Sequence, residues 1–181
     1  RVYRYDVPEL SMKWKLGTEE TGRIVRRQAF DAEKQKCQEQ FADVRTALAH
    51  NKNDLAETML HHLARGTGLR GLCSLKPVNG EVIRPLLCLE RREIDDYIRE
   101  CGIPSVLDST NLEDEYTRNR IRRHLLPVME REINARTVEH MAETSRLLSE
   151  AEEFLTDEAA QLAADYREPD GSYCLREGFF Q

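Results

Sequence analysis

The chain has 181 residues, enough for one ordinary domain or for most of one with an appendage. Hydrophobic residues make up 40% and charged residues 33%, a globular, soluble composition, and no stretch approaches the roughly 20 apolar residues of a membrane helix. A net charge of −6 excludes a protein that coats nucleic acid indiscriminately and leaves room for a local basic patch. The five cysteines are scattered without a Cys-x-x-Cys pair, which predicts reduced thiols in a cytoplasmic protein. Arg1-Val2-Tyr3-Arg4 does not open a signal peptide. Both ends read as cut, so an internal piece of a longer protein is expected.

Val2, Tyr3, Tyr5 and Val7 form a β-prone run that Pro8 ends. Gly17-Thr18-Glu19-Glu20 supplies the cap and acidic first turn of a helix to about Gln40. Asp43 to Ala49 reads as a strand with His50 at its carboxyl end. The next helix carries Ala56, Met59, Leu60 and Leu63 on a buried stripe, with Asp54, Glu57, Thr58, His61 and Arg65 opposite and Gly66 and Gly68 as its stop. Residues 81 to 87 suggest another strand, and Glu90 to Cys101 an amphipathic helix closed by Gly102. The short apolar run from Ile103 to Leu107 leads into the polar loop Asp108-Ser109-Thr110-Asn111. Strands alternating with helices predict an α/β fold with a parallel sheet. After Pro127 a 3–4 repeat of Val138, Met141, Ser145, Leu148, Glu152, Leu155, Ala159 and Leu162 predicts one long helix or two, interrupted on its seam by Glu152. Pro169-Asp170-Gly171 then marks a turn.

Site chemistry is concentrated in two segments, His50 to Thr58 and Tyr116 to Arg122. Ligands of open α/β sheets bind at strand carboxyl ends, where His50 is expected. Asp54, Glu57 and Thr58, spaced i, i+3, i+4, project from one side of their helix. Two carboxylates there suit Mg²⁺ held through water or another cation; capping by Asn51 or Asn53 with an acidic first turn accounts for the same residues without a ligand. Arg65-Gly66-Thr67-Gly68 is basic and glycine-rich, able to bring backbone N–H groups to phosphate, but two glycines that end a helix need no ligand. Arg118 and Arg122 are four apart and offer two guanidinium forks, or pair with Glu113, Asp114 and Glu115.

Six segments, in order, resemble the bacterial tRNA(Ile)-lysidine synthetases of the PP-loop (N-type) ATP pyrophosphatase superfamily. They are Glu19-Glu20 through Arg23 and Arg26; Ala49-His50-Asn51-x-x-Asp54-x-Ala56-Glu57-Thr58; Arg65-Gly66-x-Gly68-Leu69-x-Gly71-Leu72; Ile83-Arg84-Pro85-Leu86-Leu87; Asp108-x-Thr110-Asn111; and Thr117-Arg118-Asn119-x-Ile121-Arg122. The resemblance implies a truncated Rossmann-like sheet of the adenine nucleotide alpha hydrolase type over residues 1 to 130. A helical connector over 131 to 168 and the start of a substrate-recognition domain from 169 would follow. It implies a ligase that uses ATP and Mg²⁺ to adenylate C2 of the wobble cytidine of tRNA(Ile), after which lysine displaces AMP. His50, Asp54, Glu57, Arg118 and Arg122 would be catalytic, with Asp54 and Glu57 near lysine or Mg²⁺. Arg23, Arg26, Thr58, Arg65, Gly66, Gly68, Asn111 and Asn119 would bind nucleotide or tRNA, and a homodimer is one assembly expected.

The chain departs from the family's pattern at Asn53, where an acid is usual, and at Arg27, where an aromatic is usual. The family's Ser-Gly-Gly-x-Asp-Ser phosphate loop is expected upstream of Arg1, so this chain alone is expected not to ligate. Two alternatives are a PP-loop tRNA thiolase, which usually carries a cysteine pair, and a non-catalytic tRNA-binding helical module.

Overall fold

The computed structural model describes residues 2–106, 117–164, 166–168, 170–172 and 174. They form a mixed α/β structure, mostly helical with a small sheet, and divide into two compact units. The first unit holds residues 1–48 and 78–85, the second 49–77 and 86–181.

In the first unit, residues 2–6 are not a strand. Asp6 accepts the Glu9 N–H at 3.0 Å and Pro8 occupies the first turn, so helix α1 (Val7–Trp14) begins where a strand was expected to end. Proline lacks an N–H that the first helical turn would leave unused anyway, so it starts a helix as readily as it ends a strand. Helix α2 (Thr18–Gln38) buries Thr21 and Val25. Lys36 donates to Tyr3 Oη at 3.0 Å and to Glu33 at 2.9 Å, tying the chain start to the end of α2.

The sheet of this unit has the order β1 (Thr46–Ala47), β3 (Val82–Ile83), β2 (Val78–Asn79). β1 runs parallel to β3, pairing Thr46 with Val82, while β2 is antiparallel to β3. Gly80-Glu81 turns that hairpin with Gly80 at φ +57, a positive value that glycine adopts without a Cβ clash. The sheet is therefore mixed, with one strand pair of the parallel type expected.

The second unit is built on helix α3 (Lys52–Arg65). Its core is Ala56, Ile121, Leu126 and Val138, with Leu60 and Met141 against them. Helices α4 (Leu69–Leu72) and α5 (Arg91–Glu100) follow, then α6 (Thr117–Arg120), a π-helical turn at Ile121–Leu125, α7 (Leu126–Glu132) and α8 (Thr137–Ala164). The π turn has a covalent cause. Pro127 has no N–H for the Arg123 carbonyl, and its ring crowds that carbonyl. The ladder widens instead, and the Leu126 N–H donates to Ile121 O, five residues back.

The burial of α3 differs from the expected stripe. Leu63 is exposed, whereas Leu55, Ala56, Glu57 and Thr58 are all buried, because α8 packs on α3 together with α6 and the π turn. Helix α8 buries Val138 and Ser145, and the Ser145 hydroxyl donates to Leu72 O at 3.3 Å. Glu152, the expected fault in its seam, is an anchor: Lys76 donates to it at 3.1 Å and to Glu153 at 3.0 Å. Beyond it Phe154, Leu155 and Leu162 stand exposed. Among the described residues no helix is long and apolar enough to cross a membrane.

Candidate functional site

The start of α3 is fixed by its own side chains. Asn51 caps the helix, accepting the Asp54 N–H at 3.1 Å, while Asp54 Oδ2 accepts the Asn51 N–H at 2.9 Å. This reciprocal box satisfies donors that a helix start otherwise leaves open. The Thr58 hydroxyl donates to Asp54 O at 2.8 Å, so its proton is already engaged. His50 is half-buried just before the cap.

Asn53 turns away from this cluster. Its Oδ1 accepts the Arg91 N–H at 2.8 Å at the start of α5, and the Lys52 N–H donates to Leu89 O at 2.8 Å. The amide that stands where an acid was expected is therefore a helix cap for α5, and its neutrality removes no charge from Asp54 and Glu57.

Arg122 projects from the π turn onto α3. Its Nε donates to Glu57 Oε1 at 2.6 Å, and Nη2 donates to Glu57 Oε2 at 2.8 Å and to Asp54 Oδ1 at 3.2 Å. The Glu57 side chain is 2% exposed and that of Arg122 41%, so a buried carboxylate meets a guanidinium that still reaches solvent. Burial pushes the Glu57 carboxyl above its usual range, against the opposing pull of the Arg122 fork and the weaker field of Arg118. The bond to Glu57 in turn raises Arg122. Arg118, one turn earlier, is exposed, and Asn119 is buried.

The structure thus joins three of the expected catalytic residues, Asp54, Glu57 and Arg122, with Arg118 acting at longer range. Both Glu57 oxygens and one Asp54 oxygen carry Arg122, and the other Asp54 oxygen carries the cap, so in this structure the pair expected near lysine or Mg²⁺ is answered by a guanidinium. Among the described residues no group of three or more His, Cys, Asp or Glu is arranged to hold a metal. Arg122 also does not offer a free fork paired with Arg118, because it spends its fork on carboxylates 65 and 68 residues away. The nearby acids Glu113, Asp114 and Glu115, and the expected binder Asn111, lie outside the described residues.

Arg65, Gly66 and Gly68 sit at the far end of α3, where Gly66 takes φ +78 as the helix stop. Arg23 and Arg26 belong to the first unit, exposed on α2. His62, ambiguous in the sequence, places its Nδ1 2.7 Å from Gly71 O. Pro127, a signal in plain view, could have exposed the π turn that aims Arg122.

Comparison with known proteins agrees with the resemblance. Residues 3–129 match the PP-loop domain family. The chain is 41% identical over 154 residues to the tRNA(Ile)-lysidine synthase of Caldanaerobacter subterraneus subsp. tengcongensis, covering 85% of this chain and 32% of that protein. It is 41% identical over 146 residues to that of Bacteroides thetaiotaomicron, covering 81% of this chain and 33% of the relative. To that of Thermotoga sp. strain RQ2 it is 45% identical over 129 residues, covering 71% and 30%. The chain therefore spans about a third of the length of these relatives. Matched by the family model over residues 3–129, well over half of its length, this chain belongs to the PP-loop domain family.

Proposed function

We propose that the protein carrying this chain is an ATP-dependent tRNA(Ile)-lysidine ligase. The parent fold of residues 1–130 is a truncated Rossmann-like sheet of the adenine nucleotide alpha hydrolase type, residues 131–168 are a connector, and a substrate-recognition domain begins at 169. The wobble cytidine oxygen on C2 attacks the α-phosphate of ATP and pyrophosphate leaves. The lysine amine then bonds to C2, the C2–O bond breaks, AMP departs, and the amine loses its proton. ATP brings Mg²⁺ as part of the substrate complex rather than on Asp54 and Glu57.

The observation that carries this reading is the Arg122 fork on buried Glu57 and Asp54. Carboxylates and guanidinium side by side suit a reaction in which an ammonium and a phosphate meet. Asp54 and Glu57 hold the incoming amine, and a Glu57 carboxyl raised by burial is suited to take its proton. Arg118, exposed one turn earlier, stabilises charge on the adenylate phosphate, and Arg122 holds Glu57 and Asp54 in position. His50 borders the site, Thr58 is bonded to the Asp54 carbonyl beside it, and Asn119, Arg23 and Arg26 meet nucleotide or tRNA. The helical-module alternative rests on the Arg stretch from Arg118 and the long helices, to which the C-terminal half of α8 adds Glu152, Glu153, Asp157 and Glu158 and no Lys or Arg to meet phosphate.

The test uses the intact enzyme with ATP, lysine and a tRNA(Ile) transcript, following AMP release and, by mass spectrometry of the digested tRNA, lysidine. Glu57→Gln is expected to slow the lysine-dependent step by about 10²-fold or more while sparing ATP–pyrophosphate exchange. Arg122→Ala is expected to lower both. Unchanged lysine-dependent AMP release in Glu57→Gln would overturn the assignment.

A further inference from the structure

Of the four residues that open α3, Asn51 and Asp54 bond to each other, while Lys52 and Asn53 bond to residues 89–91. The second pair forms a clip with one bond in each direction. The Lys52 N–H donates to Leu89 O at 2.8 Å, and the Arg91 N–H donates to Asn53 Oδ1 at 2.8 Å. A single hydrogen bond leaves rotation about itself free; two side by side remove it, because each needs its own alignment.

The far side of the clip is itself held. Leu87 is buried, the Leu89 N–H donates to Leu86 O at 3.0 Å, and the Glu90 N–H donates to Glu93 Oε2 at 2.7 Å in the capping box of α5. Neither helix needs the clip in order to start, since each carries a capping box of its own. Arg91 is the first residue of α5 and is exposed, so water could satisfy its N–H. What the Asn53 amide adds is therefore orientation. The next residue is Asp54, whose Oδ1 meets Arg122, and Glu57 follows three residues on.

We infer that Asn53 is a positioning residue for the carboxylates that hold the lysine amine: through the Arg91 N–H it sets the orientation of the turn that presents Asp54 and Glu57. The inference rests on the assignment of those two carboxylates above and extends it to a residue that touches no substrate. Reacting groups must approach to roughly 3–3.5 Å in the right alignment, so a small rotation of the turn weakens its hold on the amine. Adenylation does not use these carboxylates, and the effect is confined to lysine.

The experiment measures AMP release by the intact enzyme with lysine and ATP varied in turn, in variants that remove the bond from either side. Asn53→Leu keeps the size of the side chain and deletes the acceptor. Arg91→Pro deletes the donor without touching α3, and proline suits the first position of a helix that follows an extended residue, here Glu90 at φ −81 and ψ 157. Each is expected to raise the KM for lysine about fivefold, the worth of one hydrogen bond, with the KM for ATP and ATP–pyrophosphate exchange unchanged. The double variant is expected to match either single one, because both break the same bond. Asn53→Asp keeps the acceptor oxygen and is expected to keep the wild-type KM for lysine. Should Asn53→Leu not fold, Arg91→Pro alone decides. An unchanged KM for lysine in Arg91→Pro, an equal rise in the KM for ATP, additive effects in the double variant, or a raised KM in Asn53→Asp would each overturn the positioning role. An unchanged lysine-dependent step in Glu57→Gln would instead overturn the carboxylate assignment beneath it.

Discussion

The two ends of α3 handle charge in opposite ways. At the N-terminal end Asp54 belongs to the cap, Glu57 is buried, and Arg122 answers both carboxylates. At the C-terminal end Arg65 is exposed, with an imidazole as its neighbour. A buried charge must be paired whether or not a ligand is present, because leaving it alone in a low-dielectric site is costly. An exposed guanidinium stays hydrated and can wait for its partner. Closure at one end and openness at the other are therefore two electrostatic states of one helix.

The sharpest way to break this contrast is Arg122→Ala. It strands a buried carboxylate, so a loss of about 3 kcal/mol is expected in urea unfolding at neutral pH. Glu57 already titrates higher folded than unfolded, and losing Arg122 raises it further. Protonated Glu57 therefore favours the fold, and this contribution is lost as pH rises through the folded value. The deficit is expected to shrink as pH falls toward the ordinary glutamate value of about 4.3. A deficit that does not change with pH would show that Arg122 acts through packing alone.

Gly71→Ala tests the other end. The added Cβ meets Thr67 Oγ1 at 1.8 Å and Thr67 Cβ at 3.1 Å, and such overpacking is expected to cost about 1–3 kcal/mol. Adding Thr67→Ala should recover much of that loss in thermal unfolding, and strict additivity of the two would place the strain elsewhere. Asn51→Ala opens the capping box and should cost about 1 kcal/mol by urea titration. Smallest of all, Arg65→Ala should leave stability within about 0.5 kcal/mol in urea unfolding, as an exposed guanidinium with no carboxylate partner requires.

Legibility in the sequence followed range. Helix α3, its glycine stop at Gly66 and the long helix after Pro127 were readable, since capping and periodicity act over a few residues. The turn at Gly80-Glu81 was equally local and was passed over, so the hairpin of β2 and β3 was not expected. The start of α1 was misjudged because Pro8 serves both to end strands and to start helices. At the site, Asp54, Glu57 and Arg122 were readable as candidates, and their relationship was not. Glu57 was placed on a polar face and is buried; Asn53 was taken as a missing charge and caps α5.

By itself the amino-acid sequence determined the residue types of this site, the capping box that starts α3 and the order of segments that marks a PP-loop domain. Only the tertiary structure decided that Arg122 lies on Glu57 and Asp54, that Asn53 faces another helix, and that Arg65 keeps no carboxylate. The reason is physical: capping and helix periodicity are set by neighbours in the chain, whereas the pairing of a buried charge is set by which distant side chain the packed core delivers to it.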